Sequence, residues 1–151
     1  MTITVTGDRE VALMLREGPK MLVANGFLKA LSAGGNVIAD ALEVNTPVKA
    51  EDTGGVLDRG VLRESVMIQV ELDSQFRGGS AHIGFGKNGY VANWLEFGHV
   101  LKSHKGKVLG FVPPNPFMRR TLNNCGDQAI QAFADSIKNT AKDMFPNFKP
   151  A

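Results

Sequence analysis

Residues 84–91 are the part of the chain that most resembles a catalytic element. They read Gly-Phe-Gly-Lys-Asn-Gly-Tyr-Val and match the G-x-G-x-x-G-x-V loop with which protein kinases cover phosphates. A kinase also needs a catalytic aspartate loop and a metal-binding aspartate, and a dinucleotide site needs its glycines within a βαβ unit. The sequence provides neither context, so the glycines are expected to shape a hairpin.

The triplet Asp52-Thr53-Gly54 matches the signature of aspartic proteases. That chemistry needs two carboxylates that share a proton in a rigid, hydrogen-bonded turn. The triplet instead lies in residues 49–60, a polar and glycine-rich stretch without periodicity that is predicted to be a mobile loop. Protease activity is therefore not expected.

Glu96, His99 and His104 lie close together in the sequence and are candidate metal ligands. Their spacing matches no zinc motif, and the lysines around the two histidines would repel a cation. Cys125 is the only cysteine, and a cysteine in the middle of a helix usually packs as a small apolar side chain. The sequence therefore predicts no catalytic residue, no metal site and no cofactor, and the chain is not expected to be an enzyme.

The composition indicates one soluble domain over residues 1–151. Hydrophobic residues make up 43% of the chain and charged residues 21%, and the mean hydropathy is −0.08. No apolar run approaches the roughly 18 residues that cross a bilayer. The first seven residues lack the basic and apolar regions of a secretion signal, so folding in the cytoplasm is expected.

A long helix is predicted near each end of the chain, and a short helix over residues 8–16 precedes the first. Between Pro19 and about Val44, apolar or small residues recur every three or four positions; they are Ala24, Leu28, Leu31, Gly35, Ile38 and Leu42. The adjacent Gly34 and Gly35 each cost the helix about 1 kcal/mol relative to alanine, which indicates that another backbone approaches closely there. The last helix begins after the prolines at 113–116, and its inner face is Leu122, Ala129, Phe133, Ile137, Ala141 and Met144.

Strands are predicted over residues 66–72, 81–86 and 108–112, the first from its strict two-residue alternation. An Asn-Gly turn follows the second strand, and residues 90–97 are expected to form one helical turn that runs into a strand. This order predicts an α+β fold in which an antiparallel β-meander sheet packs against a long N-terminal helix and a C-terminal helix. Residues 99–107 are expected to be a second mobile loop, and residues 146–151 a short C-terminal tail.

Charge is distributed unevenly, although the net charge is only +2. Residues 1–96 contain nine basic and twelve acidic side chains, a balance of −3, whereas residues 97–126 contain five basic side chains and no acidic one. Lys102, Lys105 and Lys107 are candidates for contact with DNA in a channel or with an acidic partner. A solvated lysine loop, or complementarity between copies of the chain, explains the asymmetry equally well.

Two segments concentrate the residue types that are enriched at protein interfaces. Residues 90–98 contain the only tryptophan and the only tyrosine, and residues 116–122 contain a proline, a phenylalanine and two arginines. The candidate interface residues are Trp94, Glu96, Phe97, Pro116, Phe117, Arg119 and Arg120. The aromatic residues suit the core as well, and Arg119 or Arg120 is expected to pair with Glu96 if that carboxylate is desolvated.

Three blocks of the sequence carry a family resemblance. They are Asn45-Thr46-Pro47-Val48 with Gly60-Val61-Leu62-Arg63-Glu64-Ser65-Val66, then Tyr90-Val91-Ala92 leading into Glu96-Phe97-Gly98, and then Pro116-Phe117-Met118-Arg119. In this order the chain resembles the small neck or tail-completion proteins of long-tailed bacteriophages, the head–tail joining or minor tail components. It departs from the family pattern at Arg59, at His99 and at Arg120-Thr121.

The resemblance implies a virion structural protein that joins the head connector to the tail as a ring of six or twelve copies around the DNA channel. The partners it implies are copies of the same chain, the head-connector protein and the tail-tube or tail-terminator proteins, with non-specific DNA contact and no membrane. The implied location is the neck or tail of the virion, after assembly in the host cytoplasm. A basic-loop DNA-binding module is the alternative function.

Overall fold

The computed structural model describes residues 2–3, 20–48, 59–73, 78–144 and 146. The elements of this part of the chain are, in order, β1 (Thr2–Ile3), α1 (Lys20–Asn45), α2 (Val61–Glu64), β2 (Val66–Leu72), β3 (Gly79–Phe85), α3 (Gly89–Phe97), β4 (His99–Lys102), β5 (Val108–Val112) and α4 (Phe117–Met144). The helix predicted over 8–16, residues 49–58 of the first predicted loop and residues 147–151 of the predicted tail lie outside the described residues.

The long helix α1 forms as its apolar spacing predicts. Ala24, Leu31, Ile38 and Leu42 are all buried, with exposures of 9% or less, whereas Leu28 is half-buried. The helix ends where the Thr46 hydroxyl donates a hydrogen bond of 2.6 Å to the carbonyl oxygen of Leu42. Proline follows at the next position and prevents further helix.

Two adjacent glycines let α1 fit between α4 and the sheet. A Cβ atom on Gly34 would lie 2.8 Å from the backbone carbonyl oxygen of Ala129 in α4. A Cβ atom on Gly35 would overlap the Ile68 side chain of β2 on the other side of the helix. The predicted close approach of another backbone is therefore confirmed at Gly34, where the backbone of α4 approaches, and a side chain of the sheet approaches Gly35.

The strands form two separate antiparallel sheets. In the first, β2 and β3 pair over seven residues from Val66 opposite Phe85 to Leu72 opposite Gly79, and β1 pairs with the other edge of β3. In the second, β4 pairs with β5 around a register shift between Leu101 and Lys102. The α+β class is confirmed, with the strands divided between two sheets because α3 interrupts them.

The core lies where α1, α4 and the inner face of the three-stranded sheet meet. Ile38, Ile83 and Phe117 are among the buried members of its larger cluster, and Phe117 makes an edge contact with Phe85 at 5.9 Å between ring centroids. A smaller cluster around Ala30, Leu31 and Phe133 extends it toward the other end of the helices. None of the helices in the described ranges combines the length and the apolar character needed to cross a membrane.

Two expectations about residues 90–107 need correction. Residues 89–97 form one continuous helix, and the strand begins only at His99, after Gly98 has turned the chain. Residues 99–107, expected to be a loop, contain strand β4 and a closed hairpin turn in which the Ser103 N–H donates to the Lys107 carbonyl oxygen at 2.7 Å. The alternation that identifies a half-buried strand is missing from β4 because its side chains are exposed on both faces.

Candidate assembly surface

Glu96 joins two segments that are distant in the sequence, the end of α3 and the first turn of α4. The residue is 2% exposed. Its Oε2 accepts a hydrogen bond of 2.9 Å from the Met118 N–H, and its Oε1 accepts bonds from the Arg119 N–H at 3.4 Å and from Arg119 Nε at 2.9 Å. The carboxylate thus satisfies two amides that have no partner within the helix, at the end where the helix dipole favours negative charge. Glu96 caps α4 from a distance.

The backbone around Glu96 is shaped to bring β5 back to this point. Gly98 has a φ of 74°, and a Cβ atom there would lie 2.7 Å from the Val112 carbonyl oxygen and 2.9 Å from Pro114 N. The Asn115 N–H then donates to the Leu95 carbonyl oxygen at 2.8 Å, one residue before Pro116 leads into α4. The sequence Glu-Phe-Gly is therefore explained by a cap, an exposed aromatic side chain and a turn that only glycine accommodates without strain.

The outer face of α3 is aromatic. Tyr90, Trp94 and Phe97, at steps of four and three residues, are 44%, 43% and 63% exposed. The Tyr90 and Trp94 rings meet nearly at right angles, with 5.1 Å between their centroids. The centroid of the His99 ring lies 5.5 Å from that of the Trp94 ring. The guanidinium of Arg119 lies over the Phe97 ring at 5.4 Å from its centroid. These contacts hold the aromatic side chains in place, as in a preorganised binding surface.

The β4–β5 hairpin continues this face as an apolar arm with a basic tip. Five apolar side chains are between 43% and 67% exposed; they are Val100, Leu101, Val108, Leu109 and Phe111. The exposed lysines at 102, 105 and 107 surround its turn. A two-stranded hairpin is only marginally stable in water, and exposed apolar patches of a few hundred Å² mark interaction sites. Residues 99–112 thus form an exposed hairpin arm.

The structure separates the predicted interface residues by their surroundings, and Pro116 is half-buried. Trp94 and Phe97 are exposed, whereas Phe117 is 1% exposed and belongs to the core, so its side chain is not available to a partner. Arg119 pairs with Glu96, as expected for one of the two arginines. Arg120 instead donates a hydrogen bond from its guanidinium to the side-chain oxygen of Asn115.

Sequence reasoning missed the apolar residues of the hairpin arm and the part played by Tyr90. Leu101 lies in the segment that is predicted to be a loop, and Val108 begins a predicted strand, so neither is expected to belong to an exposed apolar surface. The available signal was a short segment in which apolar residues outnumber polar ones without a two-residue period, next to a lysine cluster. Such a strand is buried on both faces or exposed on both, and the neighbouring lysines favour exposure.

The chemical candidates do not come together in the fold. Glu96 is turned toward α4, the His99 Nδ1 lies 3.3 Å from the Trp94 carbonyl oxygen, and His104 is in the hairpin turn. In the described ranges, no group of three or more histidine, cysteine, aspartate or glutamate side chains is placed to hold a metal ion. Cys125 is buried, and burial raises the pKa of its thiol, although a hydrogen bond from its own backbone N–H acts in the opposite direction.

Comparison with known families identifies a family to which the chain is similar. The family model described as "Bacteriophage HK97-gp10, putative tail-component" matches residues 17–98. This range contains α1, strands β2 and β3 of the three-stranded sheet, the whole of α3, and Gly98. No curated protein and no solved structure matches the chain. Because the match covers more than half of the 151 residues, the chain belongs to this HK97-gp10-like family of bacteriophage tail components.

Proposed function

We propose that this tail component completes the neck of the virion, where it joins the head connector to the tail as a ring of copies around the DNA channel. It acts by assembly and not by catalysis. The observation that carries the proposal is the exposed hairpin arm next to the aromatic face of α3, on a chain of a phage tail family. Such a surface is unfavourable in an isolated subunit and favourable where another protein covers it.

The composition of the surface supports a protein partner. Aromatic residues and arginine are enriched where interface residues contribute most to binding. Trp94 and Phe97 are exposed on α3, and the guanidinium of Arg119 lies over the Phe97 ring. A ring also needs a heterologous contact, in which one patch binds a different patch on the next copy. The mildly acidic N-terminal part and the basic middle segment provide two unlike patches for such a contact.

The proposed function is tested by complementation of a phage that lacks the gene. Wild-type protein should restore infectious particles, and a Trp94→Ala variant should leave separate heads and tails, visible by electron microscopy. Asn93→Ala, which changes the neighbouring exposed residue on the same helix, should restore infectivity to the wild-type level. Infectious particles in normal yield without any copy of the protein would contradict the proposal.

A DNA-binding module is the second candidate, favoured by three exposed lysines on a single arm. Arg119 and Arg120, the other basic residues of the segment 97–126, are less available for phosphate contacts, because each is already held by a side chain of its own subunit. Contact of three lysines with duplex DNA predicts a slope of about −2.7 in a plot of log affinity against log salt. A slope near zero, or no binding at about 50 mM salt, would exclude this candidate.

A further inference from the structure

The hairpin arm is apolar on both of its faces. Val100 and Phe111 pair across one face, whereas Leu101, next in the strand, points to the other. Both strands of this two-stranded sheet also have an outer edge, and in the described part of the chain no third strand pairs with either edge. A partner that fits the arm must therefore satisfy backbone groups along an edge and cover apolar side chains at the same time.

The chain itself contains a surface with the complementary properties. Strand β2 is an edge strand of seven residues, and no described strand pairs with its outer side. Its outward side chains are Met67, which is 52% exposed, and the exposed Gln69 and Glu71. An edge of this length is a template to which an added strand can bind through the main chain.

We propose that the hairpin arm of one copy adds to the β2 edge of the next copy, which makes it the contact that closes the proposed ring. The inference rests on the proposed function and names the surfaces that it uses. The contact is heterologous, because the arm and β2 are different parts of the chain, and repetition of such a contact closes a ring when the rotation allows it.

Charge favours this occupant over two others. The arm carries Lys102, Lys105 and Lys107 and no acidic residue, whereas Glu71 lies on β2 and Glu64 just precedes it. Pairing of two arms with each other would bring six lysines together. DNA would neutralise the lysines but would leave the apolar side chains of the arm in water. A strand edge that carries Glu71 and an exposed methionine meets both requirements.

The test is cross-linking of purified full-length protein with a flexible bismaleimide. One cysteine replaces Gln69 on β2 and another replaces Leu109, the most exposed apolar residue of the arm at 67%. Cys125 is buried, so the parent protein serves as the unreactive reference. A chain with both Gln69→Cys and Leu109→Cys should give a ladder of covalent oligomers, and an equal mixture of the two single variants should stop at dimers.

The controls separate the proposed contact from random collision. Leu109→Cys combined with Asn139→Cys, an exposed position in the last turns of α4, should give no ladder. Glu71→Lys in the double-cysteine chain should reduce the ladder several-fold, and addition of Lys102→Glu and Lys107→Glu should restore it. Monomers alone at the highest attainable concentration, or a ladder with Asn139→Cys of equal intensity, would overturn the proposal. So would protection of the arm from labelling by duplex DNA and not by added protein.

Failure of this contact and failure of the proposed function give different results. Particles of a complemented phage are analysed for the protein by immunoblotting. Absence of the protein from infectious particles contradicts the neck function. Presence of the protein, together with purified double-cysteine chains that do not cross-link, contradicts only the contact between the arm and β2.

Discussion

Replacement of Glu96 by glutamine should destabilise the protein strongly, although the two side chains have nearly the same shape. The carboxylate has two oxygens, and both accept hydrogen bonds from α4. Glutamine keeps one oxygen and turns an NH2 group toward the donors that the other one served. Loss of a charge-assisted bond with an unsatisfied donor costs about 1.5–3 kcal/mol, and loss of the charge at the helix terminus costs about 0.5–1 kcal/mol.

Glu96→Gln is therefore expected to lower the free energy of unfolding by about 2–4 kcal/mol, which is equivalent to a decrease in Tm of roughly 4–16 °C for a chain of this size. Urea unfolding followed by far-UV circular dichroism measures the change, and the fluorescence of Trp94, the only tryptophan, reports on α3 in the same samples. Arg119→Ala is the matched comparison. Because the Arg119 side chain is 63% exposed and the two backbone donors remain, it should cost less than Glu96→Gln.

The reasoning fails if Glu96→Gln changes the free energy of unfolding by less than about 0.5 kcal/mol, the range of ordinary surface substitutions. It also fails if Arg119→Ala is the more damaging change, because the ion pair would then matter more than the cap. Hydrogen exchange gives a local check. In Glu96→Gln the amides of Met118 and Arg119 should exchange faster, while those in the middle of α1 should change only with global stability.

Two further predictions concern the packing of the two long helices and the single cysteine. Gly34→Ala should destabilise the protein by about 1–3 kcal/mol, because its Cβ would meet the Ala129 carbonyl oxygen. Gly126→Ala, in α4, should stabilise it by about 0.5–1 kcal/mol, because nothing beyond the neighbouring backbone of α4 lies within 4 Å of the added Cβ. Equal effects of the two variants in urea unfolding would contradict the close packing of α1 on α4. Cys125 should react with a thiol reagent at pH 8 far more slowly in the folded protein than in urea, because burial restricts access to the thiol and raises its pKa. Equal reaction rates in the two conditions would place the thiol at the surface.

Much of this fold could be predicted from the sequence because its periodic signals were strong. The spacing in α1 and the alternation in β2 each identified a buried face, and the pair Gly34-Gly35 indicated close packing. Pairing of Glu96 with an arginine was predictable because a buried carboxylate needs a donor. That the same carboxylate also binds two backbone amides was not predictable, since it depends on how the chain returns after the hairpin arm.

The candidate assembly surface was harder to predict than the fold, because protein cores and protein interfaces use the same residue types. Phe117 and Phe97 both lie in segments rich in aromatic residues and arginine, yet one is 1% and the other 63% exposed. Only the packing of Phe117 on Phe85 distinguishes them, and that contact joins residues 32 positions apart. The hairpin arm has no periodic signal for a related reason, since a strand exposed on both faces shows no two-residue alternation.

The hydrogen bond between Glu96 and Met118 closes a loop of the chain that spans 22 positions and contains the whole hairpin arm. Both ends of that loop are tied to the body of the subunit, so changes inside it need not disturb the core. Loop closure depends weakly on length, with each doubling costing only about 0.6 kcal/mol. The length and sequence of the arm can therefore change at a small cost to the stability of the remainder of the subunit.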